Sequence, residues 1–239
     1  MRIAKYIAAC GVCSRRKAEE LVNEGKISIN GHVISDLSTQ VNLDDDSVRY
    51  QRKALELEKK FYYLLNKPVG YVCTSDDPYA EKKAIDLIPN KGRLYTVGRL
   101  DKPSEGLIVV TNDGDLAAIM THPSFELEKK YRVTVKGRIF QKKLDYLERD
   151  GLVHEGVQYR VVSAKIKKMV PGGAMINFTL AEGKNREIRK ICEAFELEVT
   201  RLRRVEIGGI KLGKLPPGAY RVMTQAEVKF FKRLGDRKK

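Results

Sequence analysis

The spacing of apolar residues changes near residue 58, and this change limits the folds open to the chain. Before it, apolar residues recur at helical spacing and then alternate with polar ones. From Phe61 onward, most apolar runs have the length and alternation of β-strands. A chain of 239 residues can form a large domain and a small one. We predict a small N-terminal domain with its linker at residues 1–58 and a larger domain at residues 59–239, with a charge-rich linker ending near residue 58.

The N-terminal segment carries two helix patterns followed by a hairpin pattern. Apolar residues at positions 3, 7 and 8 have helical spacing, and Ser14 is a suitable N-cap for a second helix that Gly25 ends. Asn30-Gly31 lies between alternating apolar residues, which is typical of a two-residue β-turn. We therefore predict two helices followed by a β-hairpin.

The larger segment contains mostly strand patterns, with fewer helices between them. The apolar runs predict strands at residues 61–65, 71–74, 95–97, 107–111, 131–135, 159–166, 174–180 and 197–207. Helices are predicted after Asp115, at residues 141–147 and 186–195, and from Thr224, which forms a capping box with Glu227. Strands with unevenly placed helices indicate the α+β class, with a mainly antiparallel sheet.

The charge of the chain indicates its partner. Lysine and arginine number 46 against 31 acidic residues, a formal net charge of +15. Such a charge attracts polyanions, and nucleic acid is the leading partner, although charge alone is equally compatible with a basic protein of another kind. No apolar stretch reaches the roughly 20 residues of a membrane span, and the N-terminus lacks the apolar core of a signal peptide. We expect a cytoplasmic monomer without a membrane partner.

Cysteine and histidine spacing does not predict a metal site. Only Cys10 and Cys13 form a C-x-x-C pair, and the three histidines lie far apart in the sequence. Structural zinc usually takes two such pairs or a fixed combination of cysteine and histidine. We therefore expect no metal and interpret the cysteines as small buried helical residues.

Two basic clusters are candidates for phosphate binding. Arg15, Arg16 and Lys17 fall in the first turn of the second predicted helix, where cations oppose the helix dipole. A compensating phosphate contact explains this placement, and a solvated helix face is the alternative. In the second cluster, Lys184 and Arg186 precede Arg189 at a predicted helix start, which suits an anion such as phosphate or a carboxylate. We expect Arg186 and Arg189, three residues apart, to share a helical face.

An acidic residue lies in a loop between two apolar strands, at Gly98-Arg99-Leu100-Asp101. On its own, Asp101 is most simply a turn or cap residue. Loops on rigid scaffolds are also where catalytic groups concentrate, so Asp101 is a candidate catalytic carboxylate.

Farther along, Arg201 and Arg203 share one face of a predicted strand and Arg204 points to the other.

Residues 1–50 resemble the small RNA-binding module first named for ribosomal protein S-four. The resemblance is carried by Arg2-Ile3-Ala4-Lys5-Tyr6-Ile7, Ser14-Arg15-Arg16-Lys17-Ala18 and Gly25-Lys26-Ile27-Ser28-Ile29-Asn30-Gly31. The module implies binding to structured RNA and occurs both in modifying enzymes and in proteins without catalytic activity.

The rest of the chain resembles the pseudouridine synthase family, in the branch that modifies ribosomal RNA. The motifs, in chain order, are Asn66-Lys67-Pro68-Val69-Gly70, Gly98-Arg99-Leu100-Asp101, Thr111-Asn112-Asp113-Gly114-Asp115-Leu116, His122-Pro123-Ser124, Lys130-Tyr131 and Gly183-Lys184-Asn185-Arg186, followed by the segment from Leu202 to Gly218. The resemblance implies a uridine-isomerising enzyme without cofactor or metal and with a role in ribosome biogenesis.

The same resemblance assigns roles to individual residues. Asp101 is expected to be the nucleophile, Arg189 to pair with its carboxylate, and Tyr131 to stack on the uracil. Arg99 is expected to hold the RNA while the target base is flipped out. The chain departs from the family pattern at Ser104, where threonine is usual, and at Glu187, where glutamine is common and where the extra negative charge falls beside Arg189.

The resemblance also indicates a target. Residues 70–74, the His122-Pro123-Ser124 segment and residues 211–218 are most similar to enzymes of the large ribosomal subunit. Modification of small-subunit RNA is the first alternative. A non-enzymatic RNA-binding or ribosome-assembly protein is the second.

Overall fold

The chain is divided into two compact units by its internal contacts. The computed structural model describes residues 1–74, 77, 79–89 and 92–236. One unit consists of Met1–Phe61, Pro89–Leu94 and Thr111–Gly114, and the other of Tyr62–Ile88, Tyr95–Val110 and Asp115–Lys239. No helix in the described part of the chain is long and apolar enough to cross a membrane.

The N-terminal unit begins with two short helices, α1 (Ile3–Ala9) and α2 (Arg15–Asn23). The Ser14 side chain caps α2 by accepting a hydrogen bond from the Lys17 backbone N–H at 3.2 Å. One face of each helix packs into a common apolar core, formed by Ile3, Ile7, Ala18, Leu21, Val22 and Ile27, among others. The predicted helix pair is confirmed.

A four-stranded sheet completes the N-terminal unit, in the order β2-β1-β3-β4. Its strands are β1 (Ile27–Ile29), β2 (His32–Ile34), β3 (Val48–Tyr50) and β4 (Lys53–Ala54). Asn30 and Gly31 turn between β1 and β2 with φ of 52° and 87°, the left-handed conformation that this turn requires. Strand β4 lies in a segment that the sequence marks only as charge-rich.

The segment after β4 is held by Asn112. The Asn112 Oδ1 accepts from the Phe61 N–H at 2.9 Å, and its Nδ2 donates to the Lys59 carbonyl at 2.9 Å and to Glu58 Oε2 at 3.2 Å. Thr111 adds a hydrogen bond from its hydroxyl to the Phe61 carbonyl at 2.6 Å. The Thr111-Asn112 motif therefore has a structural task in this chain.

The larger unit contains eleven strands and four α-helices among its described residues. The strands are β5 (Tyr62–Lys67), β6 (Tyr95–Val97), β7 (Glu105–Thr111), β8 (Lys129–Lys136), β9 (Leu152–His154), β10 (Val157–Tyr159), β11 (Ser163–Val170), β12 (Gly173–Leu180), β13 (Glu198–Ile207), β14 (Ile210–Lys211) and β15 (Tyr220–Val222). The helices are α3 (Gly114–Thr121), α4 (Gln141–Asp150), α5 (Glu187–Ala194) and α6 (Gln225–Asp236).

Most of these strands form one sheet, in the order β11-β12-β8-β13-β7-β5-β15, with β6 beside β7 and β14 beside β13. Strands β11, β12, β8 and β13 pair antiparallel, whereas β13 and β7 are parallel. The parallel pair is unusually close at Gly106, where a Cβ would collide with the Arg204 carbonyl. The predicted α+β class with a mainly antiparallel sheet is confirmed.

Apolar side chains cover one region of this sheet. The core there includes Leu64, Val97, Leu107, Val109, Leu116, Met120, Ile207 and Phe231. Helix α6 begins with the predicted capping box, in which Thr224 and Glu227 exchange hydrogen bonds between side chain and backbone at 2.8 and 3.2 Å. These contacts fix the sheet that carries the candidate site.

Three details of the prediction were wrong. Residues 71–74 form no strand, because only Val72 makes an isolated bridge, with Lys83. The apolar run at 159–166 belongs to two strands: β10 turns back onto β9, and β11 starts a new pairing at Ser163. The cysteines are not uniformly buried helical residues, since Cys10, Cys13 and Cys73 are partly exposed and only Cys192 is buried.

Candidate active site

A cavity of about 550 Å³ lies in the larger unit, beside the loop that joins β6 to β7 and the start of α5. Six of the residues predicted for the site line it: Arg99, Asp101, Tyr131, Lys184, Arg186 and Arg189. The remaining three, Arg15, Arg16 and Lys17, lie in the first turn of α2 in the N-terminal unit, where all three are exposed.

The loop that carries Asp101 is held by hydrogen bonds on both sides. The Asp101 carbonyl accepts from the Ser104 N–H at 2.9 Å, which closes a tight turn. On its flanks, the Gly70 N–H donates to the Lys102 carbonyl at 2.8 Å, and the Leu100 N–H donates to Cys73 Sγ at 3.3 Å. The carboxylate is therefore presented to the cavity by a restrained backbone.

Arg189 faces Asp101 across the cavity. Its Nε lies 3.7 Å from Asp101 Oδ2, and its Nη2 donates to the Ser104 hydroxyl at 3.2 Å. Burial lowers the pKa of the Arg189 guanidinium, Asp101 opposes that effect, and Arg186 adds to it. A guanidinium remains charged in proteins, so Asp101 has a permanent cation beside it.

A buried lysine supports the same loop from behind. Lys67 is 0% exposed, and its Nζ donates to the carbonyls of Ser104 at 2.7 Å and Pro68 at 3.0 Å. Burial lowers the pKa of Lys67, and the nearby Cys73 and Asp101 oppose this effect. Lys67 thus connects β5 to the turn that positions Asp101.

Tyr131 is placed by the alternation of β8. Its side chain is 8% exposed and lies on the sheet face that lines the cavity, together with Lys129 two residues earlier. Across the sheet, Tyr131 pairs with Phe178 of β12 and with Arg204 of β13. An aromatic ring in a partly apolar cavity can stack on a planar base.

The basic segment before α5 differs from the prediction in its geometry. Arg186 precedes the helix with φ of 51°, so Arg186 and Arg189 do not share a helical face as predicted. Arg186 and Arg189 still both line the cavity, because the left-handed backbone at Arg186 turns the chain at the cavity rim. Lys184 is partly engaged, since its Nζ donates to the Gln158 carbonyl at 2.8 Å and lies 3.0 Å from Glu182 Oε2.

Comparisons with known proteins show the family to which this chain belongs. The family model described as RNA pseudouridylate synthase matches residues 61–194, and the S4 domain model matches residues 1–47. The chain belongs to the RNA pseudouridylate synthase family. The matched residues of this synthase include Asp101, Tyr131 and Arg189.

Relatives match almost the whole synthase. Ribosomal large subunit pseudouridine synthase B of Bacillus subtilis is 37% identical over 98% of this chain and 97% of its own length. A putative chloroplastic ribosomal large subunit pseudouridine synthase of Arabidopsis thaliana is 38% identical over 95% of this chain and 60% of its own length. A crystal structure of a pseudouridylate synthase superposes with a TM-score of 0.68 and 27% identity, covering 97% of this chain and 99% of that one.

Three charged side chains of the synthase cavity were missed by sequence reasoning or misjudged by it. Lys129 and Arg204 line the cavity but carried no predicted role. Glu187, expected to place its charge beside Arg189, accepts from the Lys184 N–H at 3.1 Å and acts electrostatically on Lys184, Glu182 and Lys129. Strand alternation was the available signal for Lys129, because it lies two residues from Tyr131.

One further cluster of potential metal ligands lies outside this cavity, at His154, Glu155 and Glu193. The Lys190 ammonium lies 2.7 Å from Glu155 and 3.2 Å from Glu193, in a position that neutralises both carboxylates. This cluster connects the β9–β10 hairpin to α5, and we assign it no other task.

Proposed function

We propose that this pseudouridine synthase modifies a uridine of ribosomal RNA in the large subunit, with Asp101 as its nucleophile. The observation that carries the proposal is the Asp101 carboxylate, which faces the cavity with a partly buried Arg189 guanidinium 3.7 Å away. The Bacillus subtilis and Arabidopsis thaliana relatives are both named as ribosomal large subunit pseudouridine synthases, which supports the large subunit as target.

The reaction is an isomerisation, so no co-reactant is needed to balance it. The bond from uracil N1 to ribose C1′ breaks, a bond from C5 to C1′ forms, and the C5 proton is replaced by one on N1. Asp101 allows the base to detach, and the base rotates and rejoins the ribose through carbon. Arg189 attracts the Asp101 carboxylate from 3.7 Å and thereby restrains where it points.

Other residues of the cavity hold the RNA. Tyr131 stacks on the detached uracil and limits its movement to rotation in its own plane. Arg99, exposed at the cavity mouth, supports the strand while the target nucleotide is flipped out of its stack. Lys184 and Arg186 at the rim contact the flanking phosphates.

The N-terminal unit brings the synthase to its substrate. Arg15, Arg16 and Lys17 are exposed on α2, and we assign them contacts with phosphates of structured RNA. The whole chain acts as a monomer in the cytoplasm, and its net charge of +15 attracts rRNA in a salt-dependent way.

Two alternatives remain distinct from this proposal. Modification of small-subunit RNA uses the same site and differs only in the RNA that is recognised. A binding or assembly role without catalysis leaves Asp101, Tyr131 and Arg189 without a purpose in one cavity, which favours the enzyme.

Mapping of pseudouridines across both rRNAs tests the proposal. Cells with the intact gene, cells lacking it and cells that carry only the Asp101→Asn variant are compared. We expect a large-subunit pseudouridine that is present only with the intact protein. Loss of a small-subunit site instead supports the first alternative, and maps that are identical in all three strains contradict the enzymatic assignment.

A further inference from the structure

Two buried side chains that line the cavity each leave one polar atom without a hydrogen bond. Glu187 is 4% exposed, and its Oε1 has no partner among the described residues, although Oε2 accepts from the Lys184 N–H. Arg204 is 3% exposed, and its Nη2 is likewise unpaired within the described residues, although Nε donates to the Leu107 carbonyl at 2.7 Å. Arg189 Nε, which is also unpaired and belongs to the same cavity lining, already lies 3.7 Å from Asp101. Because buried polar atoms are nearly always paired, Glu187 Oε1 and Arg204 Nη2 are the two atoms left to bind a molecule in the cavity.

The positions of these residues relate them to the reacting base. Glu187 begins α5 two residues before Arg189, which faces Asp101. Arg204 of β13 is the cross-strand partner of Tyr131, the residue assigned to stack on the uracil. The two unpaired atoms thus belong to neighbours of Arg189, which faces the proposed nucleophile, and of Tyr131, which is assigned to stack on the base.

The polarity of the two atoms identifies the class of group that they suit. A carboxylate oxygen accepts a hydrogen bond, and a guanidinium N–H donates one. A phosphate offers acceptors and negative charge, so it would satisfy Arg204 but be repelled by Glu187. The imide edge of uracil offers both kinds of group, because its N3–H donor is flanked by two carbonyl acceptors.

We propose that Glu187 and Arg204 recognise the imide edge of the flipped uracil. Glu187 Oε1 accepts a hydrogen bond from N3–H, and Arg204 Nη2 donates to the O4 carbonyl. If Tyr131 and the ribose hold cytosine in the same pose, its N3 acceptor faces Glu187 and its C4 amino group faces Arg204, so both contacts are mismatched. The pair therefore selects uracil over cytosine. This inference rests on the proposed function and adds the residues that read the base.

Binding of matched RNAs tests this selection. The full-length Asp101→Asn variant, which we expect not to turn over, is titrated with an rRNA fragment that contains the uridine found by mapping. Two further fragments carry cytidine or 3-methyluridine at that position. We expect both replacements to weaken binding about tenfold, the usual loss for one hydrogen bond to a charged group. Equal binding of uridine and 3-methyluridine RNA overturns the proposal. Because only the RNA differs between these two measurements, altered folding of the protein cannot explain the result.

A second variant assigns the effect to Glu187. Adding Glu187→Met to Asp101→Asn removes the acceptor with little change in volume. We expect the preference for uridine over cytidine to shrink to the part that Arg204 contributes, and the preference for uridine over 3-methyluridine to fall with it. Adding Glu193→Gln, an exposed carboxylate later on the same helix, is expected to keep the full preference. A preference that survives Glu187→Met unchanged counts against the proposal.

Turnover by the wild-type chain separates the two ways of failing. If the unaltered chain forms no pseudouridine in the uridine fragment, the proposed function fails and this inference fails with it. If the unaltered chain turns over but its discrimination does not depend on Glu187 or on N3–H, only the present inference is wrong.

Discussion

The Nε of Arg189 lies 3.7 Å from Oδ2 of Asp101, while the Nη2 of the same arginine donates to the Ser104 hydroxyl. The arginine is thereby held by two points of one loop, at the ends of the turn that follows Asp101. An ion pair without a direct hydrogen bond leaves the carboxylate oxygens available to a substrate. Arg189 thus positions the Asp101 carboxylate without blocking it.

Replacement of Arg189 is expected to reduce the rate more than the affinity. In Arg189→Gln the Asp101 carboxylate loses its cation, and we expect the single-turnover rate of pseudouridine formation to fall by about 10²-fold or more. The dissociation constant for RNA should change little. Arg186→Gln is the matched control, because this rim arginine is assigned to phosphate and should affect mainly the dissociation constant. Equal effects of both variants on the rate would contradict the assigned roles.

The ring of Tyr131 is expected to matter more than its hydroxyl for holding the base. Tyr131→Phe keeps the aromatic face, whereas Tyr131→Leu keeps only apolar volume. We expect RNA that contains the target uridine to bind nearly unchanged to the Phe variant and roughly tenfold more weakly to the Leu variant, since stacking contributes about 1–3 kcal/mol per base. Equal binding by the Phe and Leu variants would argue against stacking. The single-turnover rate of the Phe variant shows whether the Tyr131 hydroxyl takes part in proton transfer.

The stability of the fold should depend on pH through Glu187. Burial raises the pKa of Glu187 above its ordinary value of 4.5, and contacts with Lys184 only partly offset this. The folded state therefore holds this proton more tightly, so the stabilisation is complete below pH 4.5 and is lost as pH rises through the raised pKa. Glu187→Gln stays neutral, and its melting temperature should rise relative to wild type between pH 4.5 and pH 8.

The outcome that contradicts this prediction is a constant difference. If the melting temperatures of Glu187→Gln and wild type differ by the same amount over the whole pH range, the burial argument is wrong.

The first turn of α2 should contribute to the salt dependence of RNA binding. Changing Arg15, Arg16 and Lys17 to Gln removes three exposed cations, and we expect the slope of log affinity against log salt to become shallower by about 2–3. The control variant changes Lys165, Lys167 and Lys168 of the exposed edge strand β11 to Gln, which removes the same amount of charge. We expect this variant to alter the slope much less. Identical slopes for the two triple variants would indicate a general charge effect.

Much of the fold was predictable because its elements have clear local signals. The Ser14 cap, the Asn30-Gly31 turn and the Thr224 capping box each use side-chain chemistry that acts within four residues. The run at 159–166 failed for the opposite reason. Its break is set by pairing of β10 with β9, and an apolar run carries no signal of its distant partner.

The site was predictable only in part. Asp101 and Arg189 lie far apart in the sequence, and family resemblance alone related them. Arg186 was misplaced on the helix, since a positive φ at a non-glycine residue is set by the surrounding fold. Lys129 was overlooked, Arg204 was placed only on a strand face, and Glu187 was considered only as a charge beside Arg189, because charged residues in a basic chain are usually interpreted as surface. Their burial in one cavity is a tertiary property.

Single-turnover assay of Asp101→Asn tests the central claim most directly. The amide keeps the shape of the side chain but removes the charge and nucleophilicity of the carboxylate. With an rRNA fragment that wild type modifies, we predict no detectable pseudouridine and a dissociation constant within about twofold of wild type. Pseudouridine formation by Asp101→Asn at a rate close to that of wild type would contradict the assignment of Asp101 as the nucleophile.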